Sequence, residues 1–188
     1  MMAEENTSAR KRLTFGAEWG YICTFFSGYH NNFFAPDGWR VDEKDKGMCC
    51  FSNAEVYLHI GYNIGNDWNL SIYAGYGGIQ DVHHCIPVSV RGTRYFMENV
   101  HGDRMFAFMD LGSGISLKKD PQEIMTGKIG CGYRISLSGR TKIDFLAAIR
   151  GTYSHKNIFF DNIRIPHERI NRNNVYGCAL SCGISISF

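Results

Sequence analysis

Two pairs of residues in this sequence have the side-chain types that hydrolytic catalysis requires. His59 lies four residues after Glu55, and His155 directly follows Ser154. A histidine beside a carboxylate or a hydroxyl can activate a nucleophile. We interpret His59 as part of a structural hydrogen-bond network. Ser154 and His155 are the better candidates for such chemistry, so an enzyme is the rival to the non-enzymatic function that we predict.

Cysteines and histidines also raise the question of a metal. The His-His-Cys run at 83–85 lacks the paired spacing of a zinc site, so we predict neither a metal nor a cofactor. Seven cysteines cannot all pair within one chain. A disulfide between loops that involves Cys85 stays open, with Cys49 and Cys50 also placed at loop bases. The other four occupy apolar strand positions and are expected to act as small hydrophobic residues: Cys23, Cys131, Cys178 and Cys182.

These residues must be positioned by β-strands, because apolar side chains recur at every second position throughout the chain. Short turns are predicted at 65–67, where Gly-Asn-Asp favours a tight hairpin, and at 138–140. Longer outward connections are predicted at 27–49, around 79–85 and at 154–173. The alternating segments are eight, and the fourth has the weakest pattern: 13–25, 53–64, 68–77, 86–96, 107–115, 128–137, 143–153 and 176–188.

Composition excludes several classes of protein. The chain has 188 residues, with 21 Gly, 13 Phe, 10 Tyr and 3 Trp but only 4 Pro. The net charge of +2 comes without a basic stripe, so nucleic-acid binding is not predicted. The longest charge-free run, 19–36, is interrupted by glycine and polar residues and cannot form a spanning helix. An all-β fold remains.

The polar phase of the alternation carries balanced charge. Small residues accompany four acids and four bases on this phase, whereas the apolar phase is bulky and almost uncharged. A narrow eight-stranded barrel has an interior that side chains must fill, and buried charges there must be paired. We therefore predict a plugged lumen lined by Glu18, Glu55, His59, Arg91, Asp110, Lys128, Arg134, Asp144 and Arg150.

One strand pairing can be predicted in register. A three-residue turn at 138–140 places Arg134 opposite Asp144 inside the barrel. The same register places Lys128 opposite Arg150, which are two like charges. We expect one of three carboxylates from elsewhere in the lumen to lie between them: Glu18, Glu55 or Asp110.

Aromatic residues fall near the two ends of the strands. Two aromatic girdles that flank an aliphatic band are typical of outer-membrane barrels. The residues predicted at one rim are Phe15, Tyr62, Trp68 and Phe188, and those at the other rim are Phe25, Tyr76, Tyr153 and Tyr176.

The last segment, 176–188, alternates apolar residues up to Phe188. It resembles the terminal strand by which outer-membrane barrels of Gram-negative bacteria are recognised for assembly. The segments at 86–90, 108–115 and 130–141 also resemble the small OmpA/OmpX-like barrel domains, over residues 12–188 in all. The resemblance implies that the barrel-assembly machinery binds the strand ending at Phe188. The polar tail 1–11 is not a signal peptide, and we expect that one has been removed ahead of it.

The sequence thus predicts an all-β, eight-stranded antiparallel up-and-down transmembrane barrel in the outer membrane. We expect a monomer in contact with outer-membrane lipid. It would act structurally or through extracellular loops in surface recognition or adhesion. Two alternatives stay open: a rim-active lipid hydrolase or acyltransferase, and a soluble lipocalin-like barrel whose faces are reversed.

Overall fold

The fold was analysed from a computed structural model that describes residues 12–79, 83–98, 102–117, 123–137, 141–161 and 163–188. The tail 1–11 and the turn at 138–140 lie outside these ranges. Eight long strands carry the architecture. They are β1 (Leu13–Phe34), β2 (Arg40–Ile64), β3 (Trp68–Ile79), β4 (His83–Glu98), β5 (Arg104–Ser116), β6 (Glu123–Ser136), β7 (Lys142–His155) and β10 (Ile170–Ser187).

The eight strands form a closed barrel in which each strand pairs antiparallel with its neighbours in the chain, and β10 pairs with β1. This confirms the predicted up-and-down barrel, including its fourth strand. At one end, here called the turn end, the chain reverses between β2 and β3 at 65–67, where Gly65 has φ +67°. That value suits glycine, which has no Cβ to clash. The opposite end is called the cap end.

The outer surface of the barrel is apolar. Leu58, Leu111 and Ile129 are 68%, 63% and 68% exposed, and they lie on the phase that the alternation predicts. Glu55 and Arg150, on the other phase, are 1% and 2% exposed in side-chain terms. A barrel in water would reverse these values. The fold therefore presents a continuous apolar wall and an ion-paired interior.

Aromatic rings fill much of the lumen beside the charged groups. Five of them are buried there: Tyr57, Tyr73, Tyr95, Phe106 and Phe108. Glycines on neighbouring strands make room for two of these rings, since a Cβ at Gly132 would lie 2.3 Å from Cζ of Phe106 and one at Gly130 would lie 2.8 Å from Cζ of Phe108. The sequence prediction placed glycine inside but assigned the aromatics chiefly to the rims, so this internal layer is an addition to it.

The predicted connection at 27–49 was wrong. β1 and β2 continue through this segment as a paired hairpin from Phe26 opposite Met48 to Phe34 opposite Arg40. Along β2, pairing with β3 begins only at Glu55, so the hairpin projects beyond β3, whereas on its other side β1 stays paired with β10 as far as Phe33 opposite Ile170. Residues 42–48 of β2 are all exposed, so no apolar alternation is needed along that strand.

The connection between β7 and β10 covers the end of this hairpin. It spans 156–169 rather than the predicted 154–173 and contains the two-residue strands β8 (Phe159–Phe160) and β9 (Ile163–Arg164) and a 3₁₀ turn at His167–Arg169. Five buried side chains join it to the hairpin, and we call them the cap core: Phe33, Ala35, Val41, Ile158 and Ile165. Among the helices of the described residues, none is long and apolar enough to cross a bilayer.

Candidate functional site: the lumen and the cap

Arg91 forms the centre of one buried charge cluster. Its Nη1 and Nη2 atoms donate to the two carboxylate oxygens of Glu18 at 2.5 and 3.0 Å. Nη2 and Nε also donate to Oδ2 of Asp110 at 3.0 and 3.3 Å. The guanidinium is covered by the rings of Tyr73 and Phe108, whose centroids are 4.0 and 4.6 Å from Cζ. The planar guanidinium suits both the bidentate and the stacked contacts.

Glu55 forms the centre of a second cluster of opposite composition. Lys128 Nζ donates to its Oε1 at 2.5 Å, and Arg150 Nη1 donates to its Oε2 at 2.8 Å. The hydroxyls of Tyr57 and Ser181 also donate to Glu55, at 3.0 and 3.5 Å. The carboxylate between Lys128 and Arg150, which the register prediction requires, is therefore Glu55.

A third ion pair confirms the predicted register of β6 and β7. Arg134 lies opposite Asp144, and Lys128 lies opposite Arg150. Arg134 donates from Nε and Nη2 to the two carboxylate oxygens of Asp144, each at 2.6 Å. Its guanidinium also covers the ring of Tyr95 at 4.6 Å.

The clusters complement each other in charge. Arg91 faces two carboxylates, which gives that cluster a formal charge of −1, whereas Glu55 faces two cations, which gives +1. Asp110 of the first cluster and Lys128 of the second are opposite each other in the β5–β6 ladder. Opposite charges on adjacent layers stabilise an interior in which a lone charge would be costly. The structure thus brings the predicted lumen residues together as two triads and a pair.

His59 lies at a small cavity near the turn end. Its ring stacks on Tyr73 at 4.8 Å, and Nε2 is 3.4 Å from Oγ of Ser185. Nδ1 is buried and has no hydrogen-bond partner in the structure. The cavity, also lined by Arg134 and Asp144, is about the size of a water molecule. Glu55 is held by other donors, so His59 and Glu55 do not form a catalytic pair.

The rim residues proposed for chemistry point in different directions. Ser154 is 5% exposed and lies inside, whereas the His155 ring lies against the outward Tyr153 at 5.1 Å. Neighbouring residues in a strand face opposite sides of the sheet. His155 Nδ1 instead contacts Oδ1 of Asn173 at 3.0 Å, so Ser154 and His155 do not converge.

His84 and Cys85 of the run at 83–85 also do not converge, and the side chain of His83 lies outside the described residues. His84 Nδ1 contacts the Tyr76 hydroxyl at 2.7 Å on the exposed side. Cys85 lies near the start of β4, next to the β3–β4 connection, and is completely buried with its thiol 3.5 Å from the Gly77 carbonyl. No group of three or more metal-ligating side chains was found within the described ranges.

A histidine–carboxylate pair that the sequence reasoning missed lies on the projecting hairpin. His30 Nε2 and Oδ1 of Asp42 are 2.9 Å apart, with side chains 22% and 54% exposed. The alternation could not reveal it, because the segment was interpreted as a loop.

The predicted rim aromatics lie on the outer wall. Phe15 and Phe188 stack at 5.6 Å near the turn end, where the first and last strands meet. Tyr176 is only half-exposed, because its ring covers Gly28 and contacts Phe26 at 6.1 Å. The other five are exposed on the same wall: Phe25, Tyr62, Trp68, Tyr76 and Tyr153.

The cap carries large apolar side chains on its surface as well as in its core. Trp39, at the hairpin tip, is 55% exposed and packs edge-on against Phe160 at 6.0 Å. Phe34, Phe159 and Ile163 are 41%, 57% and 57% exposed. Exposed apolar groups gathered on an ordered surface are typical of interaction sites.

The sequence matches no protein-family model and no curated protein. Solved structures do resemble it. OprG of Pseudomonas aeruginosa superposes with a TM-score of 0.56 at 8% identity, over 95% of this chain and 97% of that chain. AlkL, determined in lipid bilayers, gives 0.53 at 10% identity, over 100% and 96%. The N-terminal barrel domain of P. aeruginosa OprF gives 0.44 at 16% identity, over 92% and 99%.

The first two of these structures establish the fold of the chain. It is the eight-stranded fold of small outer-membrane barrels, which confirms at the level of the fold the resemblance to OmpA/OmpX-like proteins seen in the sequence.

Proposed function

We propose that this protein is an integral outer-membrane barrel that presents its cap to the exterior for surface recognition or adhesion. The observation that carries the proposal is the combination of an apolar outer wall with an ordered cap at one end. A wall on which Leu58 and Ile129 are 68% exposed is stable only against lipid acyl chains. Outer-membrane lipid is then the first partner, and the protein is monomeric.

The lumen supports a structural rather than a conducting role. Two charge triads and buried aromatic rings occupy its cross-section, and Ile124 packs on Cys85 between the Glu55 cluster and the cap end. Eight strands leave room for little more than these side chains. The balanced ion pairs stabilise the closed ring and provide no continuous water path.

The cap supports the recognition role. Its hairpin and its β7–β10 connection are fixed to each other by the cap core, so the exposed Trp39 and its apolar neighbours occupy defined positions. A pre-ordered surface binds a partner with less loss of entropy than a mobile loop does. The short β2–β3 turn at the opposite end is consistent with a periplasmic orientation of that end.

We propose no enzymatic activity. Neither His59 nor His155 lies beside both a nucleophile and a carboxylate. Ser154 and His155 face opposite sides of the sheet, and Glu55 binds Lys128 and Arg150 instead of His59. The His30–Asp42 pair is the residual rival, and lipid A or phospholipid turnover that is lost in His30→Ala would establish the enzyme instead.

Cells that display the protein provide the test of recognition. Adherence to epithelial monolayers and cell–cell aggregation should exceed those of cells without the protein. A cap-surface variant should lose this gain while its barrel stays folded, because it changes only exposed side chains: Phe34→Ser, Trp39→Ser, Phe159→Ser and Ile163→Ser. A matched variant replaces exposed apolar residues at the turn end, Leu13→Ser and Leu137→Ser. It should keep the gain in adherence and aggregation. Equal adherence of cells with the unchanged protein, the cap-surface variant and the matched variant would contradict the proposal.

Assembly into the membrane is proposed to use the strand that ends at Phe188. Its backbone N–H donates to the Phe15 carbonyl at 2.9 Å, so this residue also closes the ring. Phe188→Ala should reduce the amount of folded barrel in cell envelopes more strongly than it reduces refolding in detergent. An equal loss in both assays would indicate a purely structural role.

A further inference from the structure

Three cysteines meet where the β1–β2 hairpin leaves the barrel wall. The register of β1 and β2 shifts between Thr24 and Phe26. At this shift two residues of β2, Cys49 and Cys50, lie opposite the single residue Phe25 of β1. This arrangement is a β-bulge, which bends a strand and redirects its side chains.

The bulge brings two of the three thiols together. Cys23 lies directly opposite Ser52, so Cys50 is its diagonal neighbour on the same face. Cys49, the other residue of the bulge, has its Sγ 3.7 Å from the Thr24 carbonyl oxygen. Cys50 is exposed and Cys23 half-buried, so a small oxidant can reach them.

We propose that Cys23 and Cys50 form a disulfide that closes the base of the projecting hairpin. The first thiolate attacks a disulfide oxidant, either a protein dithiol oxidase or a small-molecule disulfide, to give a mixed disulfide. The second thiolate displaces the remaining oxidant sulfur. Two electrons pass from the cysteine sulfurs to the oxidant, which leaves as two thiols carrying the two protons.

The bond would fix the two strands of the hairpin to each other where they pass from the barrel wall into the segment at the cap end, in which β1 still pairs with β10. Both strands continue from here to the cap core, so the disulfide would limit their motion relative to the barrel. In the cell the reaction rests on the proposed function, because disulfides persist in oxidising compartments such as the bacterial envelope. In purified protein it depends only on the position of the two thiols.

The chain contains a matched control pair on the outer wall. Cys131 and Cys182 are both exposed, and both lie opposite Ala147, one on each side of β7. Two strand spacings, about 10 Å, therefore separate them. Disulfides require Cα atoms closer than about 7 Å, so this pair has comparable exposure but cannot bond.

The test is oxidation of the folded protein in detergent with oxidised glutathione, followed by alkylation and peptide mapping. A peptide that links Cys23 to Cys50 is expected, with Cys131 and Cys182 alkylated. Cys23→Ser should abolish the link and leave glutathione on Cys50, whereas Cys131→Ser should retain the link. A heat-dependent shift in gel mobility verifies that each variant is folded. If Cys23→Ser does not fold, Cys50→Ser replaces it as the test variant.

Two results would overturn the disulfide: alkylation of both Cys23 and Cys50 in the folded, oxidised protein, or a link from Cys23 to Cys178 or Cys49 instead. Either result leaves the membrane location unaffected, because the oxidant is supplied. Conversely, recovery of the linked protein outside the membrane fraction of cells would contradict the location and leave the disulfide intact.

Discussion

Arg150 Nη1 and Glu55 Oε2 lie 2.8 Å apart inside the barrel although 95 residues separate them in the chain. Their strands, β7 and β2, are not neighbours in the ring. The pair therefore crosses the lumen rather than following one ladder. Glu55 also accepts a hydrogen bond from Lys128, so its carboxylate bridges the two neighbouring cations Lys128 and Arg150. The stability of the barrel should therefore depend on this carboxylate.

Glu55→Gln should lower the free energy of unfolding by about 3–5 kcal/mol, because it leaves two buried cations without their counter-charge. Guanidinium titration of the detergent-folded barrel measures the change. Adding Lys128→Met should recover part of the loss, since the net charge of the cluster returns to its original value. Asp45→Asn, at an exposed acid on the hairpin, should change stability by less than about 0.5 kcal/mol. Equal losses at Glu55 and Asp45 would contradict the buried cluster.

Arg91→Lys should destabilise the barrel although it keeps the charge. An ammonium cannot donate to Glu18 and Asp110 in the same fork or stack between two rings. We expect a loss of about 2 kcal/mol, the order of one charge-assisted hydrogen bond. The control is Arg94→Lys, because Arg94 covers Trp68 and Phe96 on the exposed wall. If both variants unfold at the same denaturant concentration, the Arg91 contacts contribute nothing specific.

Gly132→Ala should lower stability by about 1–3 kcal/mol, the usual cost of overpacking. The new Cβ would meet Cζ of Phe106 at 2.3 Å and the Phe145 carbonyl oxygen at 2.4 Å, and the latter is backbone that cannot turn away. Gly92→Ala is the matched control, because no atom lies within 4 Å of its added Cβ. It should be neutral or slightly stabilising, since alanine loses less entropy than glycine in a strand. A more stable Gly132→Ala variant would contradict the packed lumen.

The barrel should show no sizeable, stable single-channel conductance in planar bilayers. The reason is that the Glu18–Arg91–Asp110 and Lys128–Glu55–Arg150 clusters and the internal rings fill the cross-section. A purified sample that gives long-lived openings of uniform size, absent from detergent blanks, would contradict the plugged lumen.

The sequence predicts a segment well when the two faces of that segment lie in different environments. Strands in the wall have one apolar and one polar environment, so their alternation predicts them, and a short turn then fixes Arg134 opposite Asp144. In the projecting hairpin at 26–48, residues 42–48 of β2 are all exposed, so that strand carries no such signal. The Cys49–Cys50 bulge and the cap core depend on long-range packing, such as Phe33 with Ile158, which periodicity does not encode.

Insertion in a bilayer is the central claim, and the three tryptophans test it most directly. Trp19 lies mid-strand on the outer wall, Trp68 adjoins the turn end, and Trp39 is at the cap tip; all are at least half exposed. Three variants, each keeping one tryptophan and replacing the others by Phe, would be folded into vesicles of lipids brominated at defined acyl depths. Fluorescence of Trp19 should be quenched most by deep bromines, Trp68 most by shallow ones, and Trp39 by neither. Equal, weak quenching of all three would contradict a membrane-spanning barrel.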